Sequence, residues 1–178
     1  MKTHVEALAA ELVDPANRRE ASDVLAAPPS AGIYAWWSGA PEVMGVVGSP
    51  GRDGYLFYVG IASARTGLRK RLATHVNGTA RRSTLRLTLA AIGVGSGTVT
   101  RSGRSKVSLD VAYETAITTW IRDNFTVSWV AAAEAHLIER SVIGLLAPPL
   151  NSAFKSHHAA YATVRNASAA LRARAQSL

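Results

Sequence analysis

The sequence predicts an α+β or mixed α/β domain in which a small three-stranded sheet, antiparallel or mixed, is flanked by helices. Short apolar and aromatic runs at 31–37, 56–61 and 125–130 have the length and composition of strands. Several longer segments carry apolar residues at helical spacing. With 178 residues and no cysteine, the chain is long enough for one domain with its own core, and it has no disulfide framework.

Helices are predicted at both ends of the chain. One covers 3–12, where apolar residues recur at helical spacing, and a shorter one covers 18–25 and ends before two prolines. The alanine- and arginine-rich segment 159–174 is also predicted to be helical. We therefore expect an N-terminal helical extension over 1–30 and a basic C-terminal helical tail over 153–178.

The middle of the chain, 31–152, is expected to form the main domain. Its first two strands are predicted to pair as an antiparallel hairpin across a long loop at 38–54, which holds five glycines and two prolines. A helix follows with Leu68, Leu72 and Val76 along one buried stripe. These strands and this helix carry the first candidate site residues.

Three further helices and the last strand complete this domain. Ser83 and Asp110 are candidate N-caps for two of the helices, and the third covers 132–146 and is closed by two prolines. The glycine- and serine-rich segment 93–103 is predicted to be a loop or a weak hairpin. We treat 93–124 as a second insertion, after the long hairpin loop.

Positive charge is unevenly distributed along the chain. The formal net charge is +8, yet residues 1–53 hold seven acidic residues against four basic ones. From 54 to 109 there are ten basic residues and no acidic one. This asymmetry is typical of a protein with a polyanionic partner, because each neutralised phosphate releases condensed counterions. The alternative is a solvated basic face without a partner, and charge alone does not separate the two.

The composition predicts a soluble protein of the cytoplasm without membrane contact. The first residues lead into a polar stretch that contains Glu6 and Glu11, so no signal peptide is visible. No apolar run approaches the roughly 18 uncharged residues of a membrane helix. The lack of cysteine excludes thiolate zinc sites and cysteine nucleophiles.

Four motifs with chemically active side chains follow one another along the chain. They are Gly32-Ile33-Tyr34, Tyr58-Val59-Gly60, Arg71 with His75, and Glu139 with Asn151. In this order and spacing they resemble the GIY-YIG nuclease family, which is named after the first two. The segment 134–151 is similar to the glutamate helix and proline–asparagine turn of the excision-repair branch. The resemblance covers about 31–152 and implies a GIY-YIG-like fold.

The resemblance implies a role for each motif residue. Tyr34 is the expected base or water-positioning group, with Tyr58 as its hydrogen-bonding neighbour. Arg71 is the expected phosphate clamp, and Glu139 is the expected ligand of a Mg²⁺ or Mn²⁺ ion. Since a phenol has a pKa near 10, roughly its ordinary value, Tyr34 is a poor base unless Arg71 and the ion favour the phenolate.

His75 and Asn151 complete the expected site. The resemblance implies that Asn151 positions backbone or metal-bound water, and that His75 is an alternative base or a phosphate contact. Arg71 and His75 lie four residues apart on one helix, so they are neighbours on its surface. His157 and His158 are expected to face solvent.

Each of these residues also has an ordinary structural interpretation. Tyr34 and Tyr58 can be strand aromatics that pack in the core, and Arg71 can be one more surface cation. Glu139 can be a solvated helix residue, and Asn151 can start a turn after two prolines. The ordered combination, rather than any single residue, favours one common site.

Recognition of nucleic acid is expected to depend on basic residues near the site and in the insertions, since no separate DNA-binding domain is visible. The expected contacts are Arg65, Arg69, Lys70, Arg81, Arg82, Arg86, Arg101, Arg104 and Lys106. Tyr34 and Tyr58 are 24 residues apart, against roughly ten in the family, so the hairpin loop is enlarged. The resemblance to the repair branch therefore does not by itself predict the substrate preference.

The predicted function is a divalent-metal-dependent endonuclease that hydrolyses phosphodiester bonds in DNA, which we expect in preference to RNA, and leaves a 5′-phosphate and a 3′-hydroxyl. A domain with one metal site cuts one strand per encounter, so duplex breaks would require a homodimer or two visits. The competing interpretation is a catalytically inactive nucleic-acid-binding module on the same fold. A third is a protein-interaction module in which the tail helix docks a partner.

Overall fold

The computed structural model describes residues 2–102, 106–151 and 158–176. In chain order its strands are β1 Arg19–Glu20, β2 Gly32–Ser38, β3 Glu42–Val43, β4 Val46–Val47, β5 Ser49–Gly51, β6 Gly54–Ala62, β7 Val99–Ser102, β8 Lys106–Leu109 and β9 Thr126–Ala131. The α-helices are α1 Lys2–Val13, α2 Leu68–Asn77, α3 Thr84–Ala91, α4 Val111–Asn124, α5 Ala135–Leu146 and α6 Tyr161–Gln176. Two short 3₁₀ helices cover Pro15–Asn17 and Ala21–Ala26.

The central sheet is antiparallel throughout and has the order β1-β9-β2-β6-β5. The prediction of three strands was wrong, because β1 and β5 add a short strand at each edge. β1 has two residues and β5 has three, and so short a strand shows no alternation in the sequence. The segment 18–25 is correspondingly not an α-helix, since it holds β1 and the start of a 3₁₀ helix.

The predicted antiparallel hairpin of the first two long strands is confirmed as the pair β2 and β6. Tyr34 lies opposite Gly60, and Trp36 lies opposite Tyr58. The register shifts after Trp36 at a bulge. Because partners in an antiparallel pair share a face, the side chains of both motif tyrosines point to the same side of the sheet.

The two faces of the sheet are covered by different elements. The face with Tyr34 and Tyr58 packs against α2, α3, α4, α6 and the small hairpin of β3 and β4. The opposite face, with Ile33, Ala35 and Val59, packs against α1 and α5. The predicted stripe on α2 is confirmed as part of the first core, so α2 lies over the motif tyrosines.

Both predicted insertions contain ordered structure. The segment 38–54 forms β3, β4 and β5 rather than a plain loop, and 93–124 forms the hairpin of β7 and β8 followed by α4. Buried side chains of α4 belong to the first core, and α6 packs on α3. None of the helices in the described ranges is long and apolar enough to cross a membrane.

Candidate active site

The glycines of the first two motifs permit close packing around Tyr34. A Cβ atom on Gly60 would lie 2.5 Å from the Tyr34 hydroxyl oxygen, because the phenol ring crosses β6 at that residue. A Cβ atom on Gly32 would lie 2.4 Å from the carbonyl oxygen of Val130 and 2.5 Å from Leu68 Cδ1. The motif glycines are therefore required by contact distances, since only glycine allows such an approach.

Two side chains of α2 hold the Tyr34 hydroxyl. Arg71 Nε donates a hydrogen bond to the phenol oxygen at 3.1 Å, and His75 Nε2 lies 2.6 Å from the same oxygen. Tyr34 and His75 have no exposed surface, whereas Arg71 is partly exposed. The four-residue spacing on one helix thus brings a cation and an imidazole to one buried phenol.

Residues at the start of α3 contact Arg71, His75 and Tyr58. The carbonyl oxygen of Arg82 accepts a hydrogen bond from Arg71 Nη1 at 3.1 Å. Ser83 Oγ lies 2.7 Å from His75 Nδ1, and the side chain of Thr84 hydrogen-bonds the Tyr58 side chain. Three consecutive residues therefore each contact a different predicted site residue.

Asn151 acts on the backbone of β6. Its Oδ1 accepts a hydrogen bond from the Val59 amide at 2.9 Å, and its Nδ2 donates one to the Val59 carbonyl at 2.7 Å. The neighbouring Leu150 amide donates to the Phe57 carbonyl at 2.9 Å. The turn after α5 therefore replaces a neighbouring strand along this edge and fixes the central residue of the second motif.

Glu139 lies on α5, a helix whose apolar side packs on the opposite face of the sheet. The side chain is partly buried, and burial raises its pKa while Arg71 lowers it. The carboxylate in turn acts electrostatically on Tyr34 and Tyr58. The Glu139 carboxylate is therefore close enough to Arg71, Tyr34 and Tyr58 to interact with them electrostatically.

The electrostatics of the pocket keep both phenols protonated near neutral pH. Burial raises the pKa of Tyr58 to about 12, although Arg71 lowers it. Burial raises the pKa of Tyr34 further above its ordinary value, and Tyr58 and Glu139 add to this rise. Arg71 opposes it through its charge and its hydrogen bond. Ionisation of Tyr34 therefore requires additional positive charge in the pocket.

Burial also keeps His75 neutral, although here the pKa shifts in the opposite direction. Burial lowers its pKa well below the ordinary value, and the charges of Arg71 and Arg86 lower it further. A neutral imidazole has one nitrogen that donates and one that accepts. His75 can therefore either accept from the Tyr34 hydroxyl or donate to its oxygen.

Glu139 is the acidic side chain that this pocket offers to a metal ion. Within 2–102, 106–151 and 158–176, no group of three or more histidine, cysteine, aspartate or glutamate residues forms a potential metal cluster. Mg²⁺ keeps most of its waters and needs only one or two protein carboxylates beside substrate phosphates. The donor set therefore fits a hydrated hard cation and does not fit a zinc or calcium cage built from protein ligands.

Arg86 corrects the predicted set of nucleic-acid contacts, because its side chain is fully buried. It forms an ion pair with Glu114 at 2.7 Å. Arg86 Nη1 also donates to the carbonyl of Val76 at 2.8 Å and to Thr118 Oγ1 at 3.0 Å. These contacts join α3 to α2 and α4. Because the guanidinium is buried, it cannot contact a nucleic acid.

Other members of the predicted contact set lie on the surface. Several basic side chains on or beside α2, and one in β7, are exposed. They are Arg65, Arg69, Lys70, Arg81, Arg82 and Arg101. Arg104, the Lys106 side chain and His157 lie outside the described residues. His158 is partly buried at the start of α6, where its Nδ1 accepts a hydrogen bond from the Ala160 amide at 3.1 Å.

Sequence reasoning missed the contacts made by 82–84. Ser83 carried a local signal as a helix N-cap, and its Oγ does accept a hydrogen bond from the Arg86 amide at 3.2 Å. Nothing local indicated that the same hydroxyl would contact His75 or that Thr84 would contact Tyr58. These contacts depend on how α3 packs against α2.

A comparison with protein families matches the GIY-YIG catalytic domain to residues 32–174, about four fifths of the chain. The match begins at the glycine of the first motif and extends into α6, which the sequence analysis had placed in a separate tail. Comparisons with curated proteins and with solved structures gave no match. The chain belongs to the GIY-YIG catalytic domain family, a family of nuclease-type domains.

Proposed function

We propose that this protein is a divalent-metal-dependent endonuclease that hydrolyses phosphodiester bonds in DNA. The observation that carries the proposal is that the Tyr34 hydroxyl contacts both Arg71 and His75, while the Glu139 carboxylate acts electrostatically on Tyr34 and Arg71. Hydrolysis of a phosphodiester needs an activated water and positively charged groups next to the phosphoryl oxygens, where negative charge develops. The pocket offers a phenol, a guanidinium and a carboxylate for these tasks.

Arg71 is the group that meets the scissile phosphate. Its guanidinium is partly exposed and is fixed at Nε by Tyr34 and at Nη1 by the Arg82 carbonyl. A planar guanidinium can contact two phosphate oxygens at once. Because two of its nitrogens are already oriented by the protein, little side-chain entropy is lost when phosphate binds.

Tyr34 acts as the base: its own proton first passes to solvent, and the resulting phenolate then accepts the proton of the attacking water. The side chain has no exposed surface, so this role requires that the phenol oxygen become accessible to water when the substrate binds. Once ionised, the phenolate is held by His75 Nε2, which lies 2.6 Å away. Substrate binding and activation of the base are thus coupled.

Glu139 would hold Mg²⁺ or Mn²⁺, because it is a partly buried carboxylate beside the reacting groups. The ion would supply positive charge to the phosphoryl oxygens and would reverse the effect of the carboxylate on the Tyr34 phenol. The chain contributes the carboxylate, its position on α5 and the buried surroundings that strengthen its interactions.

The substrate is proposed to be nucleic acid because exposed cations lie on and beside α2, the helix that carries Arg71. Arg81 and Arg82 lie on the turn between α2 and α3, and Arg69 and Lys70 lie on the outer side of α2. Salt-dependent binding is the expected consequence of contacts with a phosphate backbone. DNA cleavage leaving a 5′-phosphate and a 3′-hydroxyl is the outcome we propose.

The experiment is incubation of the protein with supercoiled, linear and branched DNA and with RNA, with and without Mg²⁺. Glu139→Gln is the matched variant, because it removes the charge at nearly constant volume. We expect metal-dependent cleavage of DNA by the wild type and none detectable by the variant, with equal melting temperatures. Cleavage by Glu139→Gln at the wild-type rate would remove Glu139 from the mechanism.

The rival function is a binding module that has lost catalysis. It predicts salt-dependent binding of DNA or RNA with no turnover under any metal condition. The retained set of Tyr34, Arg71 and Glu139 favours the enzyme, since binding alone does not require a buried phenol linked to an arginine and a histidine. A wild-type protein that binds DNA and never cuts it would establish the rival.

A further inference from the structure

The second insertion forms one wall of a surface pocket beside the active site. The pocket has a volume of about 340 Å³. The turn between α2 and α3 supplies Thr79, Arg81 and Arg82, the end of β8 supplies Ser108, and α4 supplies Glu114. The pocket is therefore a product of the inserted segment packing against that turn.

The pocket is positively charged although an acidic residue lines it. Both oxygens of Glu114 accept from protein donors: Oε1 from the Ala80 amide at 2.7 Å, and Oε2 from Arg86 Nη2 at 2.7 Å. The buried guanidinium of Arg86 neutralises the carboxylate. Arg81 and Arg82 therefore set the charge of the pocket.

Within 2–102, 106–151 and 158–176, the donors of this pocket have no protein acceptor. Arg81 and Arg82 are exposed, and neither guanidinium forms a hydrogen bond or an ion pair in those ranges. The hydroxyls of Thr79 and Ser108 likewise have no hydrogen-bond partner there. Two cations and two hydroxyls around one pocket are a donor set that suits the oxygens of a phosphate.

Arg82 joins this pocket to the proposed active site. Its carbonyl oxygen accepts a hydrogen bond from Arg71 Nη1 at 3.1 Å, and the same residue lines the pocket. A nucleic acid carries a phosphate at every nucleotide. A substrate whose scissile phosphate meets Arg71 therefore brings further phosphates close to the pocket.

We propose that this pocket is a second phosphate site, in which Arg81 and Arg82 together bind one backbone phosphate of the substrate other than the one that is cleaved. Thr79 and Ser108 donate further hydrogen bonds to the same phosphate. The identity of the occupant rests on the proposed function. The site holds the nucleic acid while Arg71 contacts the scissile phosphate, so it contributes to binding and to the position of the cut.

The first measurement is the salt dependence of DNA binding by the full chain without divalent metal. The probe is a short DNA duplex, and the slope of log K against log salt changes by about 0.9 for each phosphate that the protein neutralises. We expect the double variant Arg81→Gln, Arg82→Gln to lose about 0.9 of this slope, since both cations share one phosphate. An unchanged slope would overturn the proposal. So would a loss of about 1.8, which would give each arginine its own phosphate.

Two single variants separate a built site from diffuse surface charge. Arg52→Gln removes an exposed charge from the turn between β5 and β6, at the end of β6 remote from Gly60, and should leave the slope unchanged. Ser108→Ala removes no charge and should weaken binding about tenfold, the effect of one hydrogen bond to a charged group. Equal slope losses from Arg52→Gln and the double variant, or wild-type affinity in Ser108→Ala, would reduce the pocket to surface charge and overturn the proposal.

Inorganic phosphate distinguishes a nucleic acid from a free anion as the occupant. It is titrated into the wild type and into the double variant at constant ionic strength, without DNA. We expect the pocket to bind DNA far more tightly than inorganic phosphate, because neighbouring contacts hold the strand in place. Binding of inorganic phosphate that the double variant loses, with DNA binding unchanged, would assign the pocket to a free anion and overturn the proposal.

The last measurement is steady-state cleavage with Mg²⁺. We expect KM of the double variant to rise about tenfold and kcat to stay within about twofold, because a phosphate held equally in the ground and transition states contributes uniform binding. An unchanged KM would contradict the second phosphate site and leave the proposed function standing. A wild type that binds DNA with the expected slopes and never cuts it would refute the proposed function and leave the second phosphate site standing.

Discussion

The two faces of the central sheet are formed by the same strands but differ in the contacts that their side chains make. On the α2 face, the side chains of β2 and β6 include Tyr34 and Tyr58, and both form hydrogen bonds with groups on α2 or α3. On the α5 face, the alternate residues Ile33, Ala35 and Val59 are apolar and make packing contacts alone. A buried phenol needs partners, whereas a buried aliphatic group needs only a close fit.

The hydrogen bonds of Trp37 and Ser128 on the α5 face show how differently the two sides are built. Trp37 Nε1 donates to Ser128 Oγ at 2.9 Å, and Ser128 Oγ donates to the Leu12 carbonyl at 2.6 Å. These bonds fix α1 to the sheet and involve no titratable group. In the proposed reaction, the α2 face therefore supplies the reactive groups, the α5 face contributes stability, and Glu139 on α5 acts together with the groups of the α2 face.

The comparison predicts its largest effect for Tyr34→Phe. The ring still fills the space above Gly60, but the oxygen between Arg71 and His75 is lost. We expect cleavage to fall by about 10²–10⁴, the usual contribution of a general base. The melting temperature should change little in comparison. Cleavage within a factor of two of the wild type, measured with Mg²⁺ in excess, would mean that another group activates the water.

The next effect concerns the polar support of the α2 face. Glu114→Gln removes one partner of the buried ion pair with Arg86. We expect a loss of about 3–5 kcal/mol in the free energy of unfolding, because an uncompensated charge stays buried. Urea denaturation measures this loss. A change under about 1 kcal/mol would show that the pair contributes little beyond its shape.

The matched substitution on the opposite face is Leu12→Ala. Leu12 is fully buried in α1 against the α5 face, and its truncation should cost about 2–5 kcal/mol of unfolding free energy. We expect kcat per folded molecule to stay at the wild-type value. If kcat fell in parallel with stability, packing on the α5 face would affect catalysis, and the assignment of separate roles to the two faces would be wrong.

The smallest effect is a pH dependence of stability that comes from His75. Burial lowers its pKa in the folded state, and Arg71 and Arg86 lower it further; Tyr34 and Ser83 also face the ring. Below about pH 6.5 the unfolded chain therefore binds a proton that the folded chain does not. Stability is full above that pH and falls as pH decreases, by at most about 1.4 kcal/mol per unit.

His75→Gln is the control for this pH dependence. The variant has no imidazole to titrate, so its unfolding free energy should fall less steeply between pH 6.5 and 5 than that of the wild type. Urea denaturation at each pH gives both slopes. Equal slopes would show that His75 takes up its proton in the folded state as easily as in the unfolded one.

Much of the fold and part of the site could be predicted from local patterns. The β2 and β6 hairpin and the last strand of the sheet followed from short apolar and aromatic runs, and the apolar stripe of α2 followed from helical spacing. The i, i+4 spacing indicated that Arg71 and His75 are neighbours, and both contact Tyr34. Local geometry is encoded by nearby residues, so sequence patterns report it well.

The tertiary structure decided the rest, because the deciding contacts join residues far apart in the chain. Arg86 and the surface arginines look alike in the sequence, and only the packing of α4 supplies the carboxylate that lets Arg86 be buried. The short edge strands form because a neighbouring strand offers its backbone groups. The sequence by itself determined which reactive side chains the chain carries and on which elements. Their partners, burial and protonation were determined when those elements packed, since a hydrogen bond or a pKa depends on what surrounds the group.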